Sequence, residues 1–158
     1  MPNPFDPAPA LTGMTSTLPR FREETDRLAT AGQPAAQDFP VLRTQGFDVV
    51  VNISTPTARN FLADEARIVI DAGMTYVHAP VDCTHLTPDH YAVVRGVLGA
   101  FPGKKVLLHC AGNVKASGLA HVYRVKELGE AAGPLRDALR RNDWHEAKWH
   151  EYFDAMGA

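Results

Sequence analysis

The residues best suited to chemistry lie in one short segment around Cys110. Residues 106–118 read VLLHCAGNVKASG, so an apolar run ends in His109 and Cys110 and is followed by small residues up to Ser117. A strand–loop–helix turn of this kind points several backbone N–H groups into one concavity, and the helix N-terminus adds partial positive charge. The sequence therefore predicts an oxyanion-binding loop with Cys110 at its base.

Cys110 is the candidate nucleophile of this segment. Backbone N–H groups that bind an anion also stabilise a thiolate, and a thiolate can attack phosphorus to form a covalent intermediate. A cysteine at a strand end is often only a small buried hydrophobe, but the adjacent His109, the loop and Ser117 favour the functional interpretation. The other positions that we expect to surround the anion are His109, Ala111, Gly112, Asn113, Val114, Lys115 and Ala116.

Short apolar runs alternate with helical patterns along the chain and predict the elements that position this segment. The apolar runs predict strands over 48–53, 75–79 and 105–109, with a candidate edge strand over 27–30. Helical periodicity predicts helices over 34–45, 58–71, 88–101, 117–128, 134–141 and 144–156. This order is typical of an α/β fold with a mostly parallel central sheet flanked by helices, in which the anion loop joins a central strand to a helix.

Residues with known terminal preferences mark several helix ends. Thr87 and Pro88 are typical of the N-cap and first position of the third predicted helix. Gly129 signals the end of the fourth. In the last helix Trp149 and Phe153 share one apolar face, so we expect that helix to pack on the body of the protein.

Length and charge restrict the classes of protein. The chain has 158 residues, which suits one domain, and we assign residues 18–158 to it. Residues 1–17 are rich in Pro, Thr and Ala and are interpreted as a flexible arm. The formal net charge of −2 gives no general attraction to nucleic acid or to an anionic membrane, so we expect neither as a partner.

The cysteine count and the N-terminal residues favour a reducing compartment. Two cysteines, Cys83 and Cys110, are too few for a disulfide framework. No apolar run is long enough to span a membrane, and the first residues lack the basic and apolar regions of a signal peptide. We therefore expect a cytoplasmic location, which suits a free thiol. The sequence does not predict an oligomeric state.

The segment resembles the His-Cys-x5-Arg-Ser/Thr signature of protein tyrosine and dual-specificity phosphatases, with His109, Cys110 and Ser117 in matching positions. Residues 31–34, 49–53 and 73–82, which read AGQP, VVVNI and GMTYVHAPVD, look like a small bacterial branch of that superfamily. The resemblance covers about residues 18–128, and the remaining residues match only in being helical. It implies a phosphatase-like fold, a phosphorylated substrate or small oxyanion as partner, and phosphomonoester hydrolysis through a phosphocysteine without a cofactor.

One position departs from that signature. Ala116 stands where the superfamily has its phosphate-binding arginine, and Lys115 precedes it. In the bacterial branch that this chain resembles, the basic residue stands at the earlier position, usually as arginine, so the resemblance implies Lys115 as the local anion ligand. Lysine is a point charge and cannot grip a phosphoryl group with two parallel hydrogen bonds. Two alternatives therefore stay open for the activity, which is either weakened or absent. Lys115 itself can also be a plain surface lysine.

The resemblance also implies a general acid. Asp82 follows a predicted strand, in a loop before a helix, where the superfamily keeps the aspartate that protonates the leaving oxygen. Asp89 competes for this role, but it falls in the first turn of the helix that Thr87 caps, where the helix dipole explains it. A plain loop residue is the alternative interpretation of Asp82. Ser117 is expected to hydrogen-bond the thiolate and to assist its departure in the second step.

Two other functions stay open. The first is an oxyanion-binding module without catalysis, which the alanine at position 116 favours. The second is sulfur transfer, because rhodanese-type enzymes also place a cysteine in a loop before a helix. The His-Cys start and the downstream Ser117 favour a phosphatase over a sulfurtransferase.

Several metal-capable side chains occur between residues 78 and 90, namely His78, Asp82, Cys83, His85, Asp89 and His90. They lack the tight spacing of metal-ligand pairs, so we predict no metal site. His145 and His150, in the last helix, are interpreted as surface or satisfied residues. Cys83 is either a silent buried thiol or a resolving partner for oxidised Cys110.

Overall fold

The computed structural model describes residues 17–158, so all of the predicted N-terminal arm except Thr17 lies outside the described residues. A five-stranded sheet forms the centre, in the order β1-β2-β5-β3-β4. Its strands are β1 (Arg22–Glu23), β2 (Leu28–Ala31), β3 (Val49–Asn52), β4 (Thr75–His78) and β5 (Val106–His109). The β2–β5, β5–β3 and β3–β4 pairs are parallel, and β1 is antiparallel to β2. The predicted α/β fold with a mostly parallel sheet is confirmed.

Six helices flank the sheet within the described residues. They are α1 (Asp38–Thr44), α2 (Glu65–Asp71), α3 (Pro88–Gly99), α4 (Val114–Lys126), α5 (Ala132–Asn142) and α6 (Ala147–Met156). No helix among residues 17–158 is both long enough and apolar enough to cross a membrane.

The central strand β5 explains why the sheet holds together and where the site lies. All four of its residues are buried, and the apolar ones face alternate sides of the sheet. Val106 and Leu108 belong to the core cluster that contains α3, α4 and α6 side chains, whereas Leu107 belongs to the cluster with α1 and α2. A strand buried on both faces is a rigid base, so the loop at its carboxyl end starts from a fixed position.

The strand at Leu28–Ala31 is interior, not at the edge as predicted. It pairs with β5 on one side and with β1 on the other. The two-residue strand β1 was not predicted, because Arg22 and Glu23 carry no apolar alternation that would mark a strand. Glu24, the next residue, is buried and bonded to Arg22 and to Arg124, which fixes this edge against α4.

Five helices begin at other residues than predicted, and two of these, α5 and α6, begin at Ala132 and Ala147 instead of at residues 134 and 144. The first and second begin later, at Asp38 and Glu65, because residues 35–37 and most of 55–64 form turns. The fourth begins three residues before Ser117, at Val114, because Asn113 adopts a left-handed conformation with φ of 58° and directs the chain into the helix. The anion loop is therefore short, spanning residues 110–113.

The predicted cap of α3 and the predicted packing of α6 are both observed. Thr87 forms a capping box with His90, whose Nδ1 accepts from the Thr87 N–H at 3.1 Å. Trp149 and Phe153 are buried in the core. Trp149 lies against Gly118 of α4, where an added Cβ would come within 2.6 Å of the indole ring. Glycine at 118 therefore lets α6 approach the helix that follows the anion loop.

Candidate active site

Cys110 follows the last residue of β5 and is 2 % exposed. Its N–H bonds the Ala31 carbonyl at 3.3 Å, which continues the β2–β5 pairing for one residue beyond the strands. The thiol is thus held at the carboxyl edge of the sheet, at the entrance of the short loop that leads into α4. This is the position that the sequence predicted for the nucleophile.

The carbonyl groups of the loop are tied to residues outside it. The Ala111 carbonyl accepts from the Gln33 N–H at 3.2 Å and from Asn60 Nδ2 at 3.0 Å. The Gly112 carbonyl accepts from the Arg20 guanidinium at 3.2 Å. In a trans peptide the N–H points opposite to the preceding carbonyl, so tying the Ala111 carbonyl turns the Gly112 N–H away from those partners. The first-turn N–H groups of α4 have no partner inside the helix, and together with them this arrangement suits an anion.

Asn113 anchors the loop to β2. The residue is buried, and its Nδ2 donates to the Arg20 carbonyl at 2.7 Å and to Thr30 Oγ1 at 3.1 Å. These bonds support its left-handed backbone, which asparagine tolerates better than most residues. Gly32 provides the space on the other side, because a Cβ there would lie 3.1 Å from the Ala111 carbonyl oxygen.

The side chain of His109 does not surround the anion as predicted, because it is fully buried and is held by a carboxylate that gave no signal in the sequence. Its Nε2 lies 2.8 Å from Glu65 Oε2, and Gln33 Nε2 donates to Glu65 Oε1 at 2.5 Å. Burial pushes the pKa of Glu65 upward, but the hydrogen bonds from His109 and Gln33 and the charge of His109 outweigh it, so the pKa lies below its usual value. Glu65 is therefore ionised at neutral pH. A single glutamate inside a predicted helix is normally a solvated surface residue, which is why it gave no signal.

The structure brings Lys115 against the loop of Asp82. Lys115 Nζ donates to the Val81 carbonyl at 2.6 Å, so this lysine is not a plain surface residue. Asp82 is exposed, and its Oδ1 accepts from the Thr84 N–H at 3.0 Å and from Thr84 Oγ1 at 2.6 Å. These two bonds, with a smaller contribution from the charge of Lys115, hold the pKa of Asp82 below its ordinary value.

A cavity of about 340 Å³ opens between Lys115 and Asp82. Its wall combines the Asp82 loop, the first turn of α4 and the start of α6. The lining residues are Thr55, Asp82, Cys83, Thr84, Val114, Lys115, Glu146, Lys148 and Trp149. The three from α6 and its N-cap were not among the predicted site residues, because they follow Cys110 by more than thirty residues and carry no motif.

The prediction that Ser117 hydrogen-bonds the Cys110 thiol is wrong, because the Ser117 hydroxyl has other partners. Its hydroxyl donates to the Asn113 carbonyl, lies 3.4 Å from the Val114 carbonyl, and contacts His145 Nε2 at 3.1 Å. The reason is that α4 begins at Val114, so that Ser117 lies inside the helix. A helical serine commonly bonds the carbonyl four residues earlier, which here belongs to Asn113.

Of the two interpretations of His145, surface or satisfied, the structure shows the second, because the residue is buried and its Nε2 has hydrogen-bond partners. Its Nε2 also lies 2.9 Å from the Val114 carbonyl, which can only accept, so Nε2 carries the proton. Burial lowers the pKa of His145 to about 4, which keeps the ring neutral. This histidine therefore ties the segment before α6 to the first turn of α4.

Ala116 lies in the core, fully buried in the cluster around Leu119. Its side chain therefore has no access to an anion, and only its backbone N–H, in the first turn of α4, is available to one. The position that carries arginine in the resembled signature thus faces inward in this chain, whereas Lys115 faces the cavity.

Cys83 and Asp89 take the positions that their simpler interpretations predict. Cys83 is buried, and burial raises the pKa of its thiol to about 11 although the charge of Lys115 opposes the shift. It is therefore a neutral thiol on the cavity wall. Asp89 is exposed in the first turn of α3, which fits its role at a helix N-terminus. Among residues 17–158 no group of three or more His, Cys, Asp or Glu side chains is arranged to hold a metal ion.

Comparison with known proteins supports the resemblance seen in the sequence. The phosphatase-like domain of the beta-lactamase hydrolase-like protein matches residues 20–126. A comparison with curated proteins finds no match.

Solved structures with the same fold carry phosphatase descriptions. A DUF442 protein from Shewanella putrefaciens CN-32, described as a candidate phosphatase, is 26 % identical with a TM-score of 0.77, covering 92 % of this chain and 93 % of its own. TpbA from P. aeruginosa, in complex with pTyr, is 18 % identical with a TM-score of 0.64 over 82 % and 78 % of the two chains. The core catalytic domain of the PP-IP phosphatase SIW14 from S. cerevisiae, in complex with citrate, is 12 % identical with a TM-score of 0.73 over 89 % and 87 %.

Proposed function

Because this chain belongs to the family of phosphatase-like domains of the beta-lactamase hydrolase-like protein, we propose that it hydrolyses phosphomonoesters with Cys110 as the nucleophile. The observation that carries this proposal is the placement of Cys110 between a rigid central strand and the N-terminus of α4. The carbonyls of Ala111 and Gly112 accept hydrogen bonds from residues outside the loop. The N–H groups on the opposite side of the loop are therefore those that would bind an anion. A phosphoryl group bound there would lie beside the thiol.

In the first step the Cys110 thiolate attacks phosphorus, so that a P–S bond forms and the P–O bond to the leaving group breaks. The backbone N–H groups of the loop and Lys115 stabilise the phosphoryl oxygens while charge redistributes. Protonated Asp82 donates its proton to the leaving oxygen, which departs as an alcohol or phenol.

In the second step Asp82 acts as the base. It removes a proton from water, the water oxygen attacks phosphorus, and the P–S bond breaks to release phosphate and the thiolate. The low pKa of Asp82 suits this step, since the carboxylate form predominates at neutral pH. The first step uses the smaller protonated fraction, so substrates with good leaving groups should react more readily.

The substrate class that we propose is a phosphomonoester, with aryl phosphates as the simplest members. TpbA binds pTyr and SIW14 binds citrate in the solved complexes, which supports a phosphoryl group or small oxyanion as the ligand that we propose for this chain. We further propose that residues 18–158 act as one cytoplasmic domain. The two buried free thiols, Cys83 and Cys110, are consistent with a reducing compartment.

The test is turnover of an aryl phosphate by the full chain, with acid quenching to trap the phosphocysteine. We expect release of phosphate by the wild type, a trapped phosphate on Cys110, and neither signal in Cys110→Ser. Lys104→Ala is a matched control, because it removes an exposed cation before β5, at the opposite end of that strand from Cys110. Activity that survives in Cys110→Ser would contradict the mechanism.

A non-catalytic oxyanion-binding module is the second candidate. It is favoured by the inward-facing Ala116, which leaves the loop without a guanidinium group, and by the bond of Lys115 to a carbonyl. This function predicts phosphate binding by calorimetry without turnover. Turnover of thiosulfate instead of an aryl phosphate would indicate sulfur transfer.

A further inference from the structure

Two lysines from different helices converge on the Asp82 loop. Lys115 in the first turn of α4 bonds the Val81 carbonyl at 2.6 Å, and Lys148 in the first turn of α6 bonds the Cys83 carbonyl at 3.4 Å. These two carbonyls flank Asp82, and two residues of chain span at most about 7 Å. Both ammonium groups therefore contact the same three-residue segment, and both lysines line one cavity.

Lys148 stands between two cavities. It lines the cavity of about 340 Å³ that contains Lys115, and it also lines a second one of about 380 Å³. Thr84 is the other residue common to both, so the cavities adjoin at these two side chains. The second cavity continues along His85 and Tyr152. A ligand whose phosphate lies beside Lys115 thus has room to extend past Lys148.

The bond of Lys148 is easily exchanged for a bond to a ligand. Its contact with the Cys83 carbonyl is long, whereas the contact of Lys115 is short. The residue is exposed, and lysine carries a compact charge on a flexible stem that adjusts to an anion. Lys148 is therefore available to bind an anionic group of a substrate.

Acidic residues restrict where that second group can bind. Glu146 lines the first cavity and Glu151 lines the second, while the Asp82 carboxylate is engaged by Thr84. With a net charge of −2 the chain is not a general polyanion binder. Lys115 and Lys148 are the cationic residues on the wall of the first cavity, so a second anionic group is expected beside Lys148, close to the group that Lys115 holds.

We propose that Lys148 is a specificity-determining residue that binds a second phosphate of the substrate, next to the phosphate held at the Cys110 loop. This inference rests on the proposed phosphatase function for the identity of the first phosphate. Lys148 lies beyond residues 20–126, which the family match covers, so the family match assigns it no role. The preferred substrates are accordingly compounds with two adjacent phosphates.

The test is calorimetric binding of orthophosphate and of pyrophosphate to the full chain carrying Cys110→Ser, in which turnover is blocked. We expect pyrophosphate to bind about tenfold more tightly than orthophosphate, as one added charge-assisted hydrogen bond predicts. Adding Lys148→Ala should weaken pyrophosphate binding about fivefold more than orthophosphate binding, and Lys148→Arg should retain most of the preference. Lys104→Ala is the control for loss of one positive charge away from the site.

The proposal is overturned if Lys148→Ala weakens both anions equally, if it changes neither, or if no anion binds. Circular dichroism of each variant shows whether α6 stays folded, and the rescue by arginine separates loss of charge from loss of structure. Because binding is measured without turnover, an inactive wild type would contradict the phosphatase function while leaving the pyrophosphate preference intact. An active wild type without that preference would contradict only the role of Lys148.

Discussion

His109 and Glu65 form a buried pair, with His109 Nε2 2.8 Å from Glu65 Oε2, directly behind the loop that starts at Cys110. The second oxygen of the carboxylate binds Gln33, whose N–H in turn bonds the Ala111 carbonyl. One glutamate thus links the residue before the cysteine to the residue after it. The shape of the loop depends on this connection.

We predict that Glu65→Ala destabilises the protein by about 3 kcal/mol, because it leaves the buried His109 Nε2 without a partner and leaves Gln33 Nε2 only its bond to the Pro34 carbonyl. Asp71→Ala on the same helix is the matched control, since its ion pair with Arg67 is exposed and should cost under about 1 kcal/mol. Urea unfolding measures both. Equal losses for the two variants would contradict the role of Glu65.

The lowered pKa of Glu65 also predicts a pH dependence. Its stabilising contribution is fully present above the unfolded value of 4.5 and is lost as pH falls through the lower folded value. The wild type should therefore lose more stability than a Glu65→Gln variant as pH is lowered below 4.5. If the free energies of unfolding of the two proteins fall in parallel with pH, the ionised Glu65 carboxylate does not stabilise the folded state.

We predict that Asp82→Asn lowers turnover of an aryl phosphate with a poor leaving group by about 10²-fold or more, the range of general acid catalysis. The loss should be smaller with a good leaving group, which needs no proton. Asp89→Asn is the control: in the first turn of α3 it should cost only about 0.5 kcal/mol of stability. A larger loss of activity in Asp89→Asn would reverse the assignment.

Lys115 and Ala116 give a second test of the site. Lys115→Ala should abolish turnover, and Lys115→Arg should raise it by adding a second hydrogen bond to the phosphoryl oxygens. Ala116→Arg should not restore activity to Lys115→Ala, because residue 116 is fully buried and an arginine there would disrupt the core. Kinetics on one aryl phosphate, with thermal unfolding as a check on folding, measures these outcomes. Restored activity with an intact fold would show that position 116 can face the anion.

The sequence predicts those features of the fold and the site that depend on residues close together in the chain. The apolar run of β5, the Cys110 loop and the Thr87 cap are each encoded within a few residues, and each is observed. The start of α4 was misplaced by three residues, because the left-handed Asn113 depends on bonds to Arg20 and Thr30, more than eighty residues away.

Contacts between distant residues account for what could not be predicted. Glu65 meets His109 across a separation of 44 residues, and Ser117 meets His145 across 28. Neither partner belongs to a motif, since a lone glutamate or histidine in a helical region is usually a surface residue. Only the packing of α2 and α6 against the sheet brings these side chains to the loop.

Two buried histidines predict that the protein loses stability in mild acid. Burial lowers the pKa of His121 and of His145 from 6.5 to about 4, so both rings are neutral in the folded state. Below pH 6.5 the unfolded chain binds more protons than the folded one, and stability therefore falls as pH drops toward 4. At pH 5 each histidine should cost about 2 kcal/mol relative to pH 7.

Urea unfolding at pH 7 and pH 5 measures this loss of stability. Both pH values lie above the pKa of Glu65, so that residue contributes little to the difference. His145→Gln is the informative variant, because glutamine retains a donor for the Val114 carbonyl but takes up no proton. It should lose about 2 kcal/mol less than the wild type between the two pH values. His85→Gln, at an exposed position, is the control and should match the wild type. If His145→Gln follows the wild-type curve, protonation of this histidine does not oppose folding.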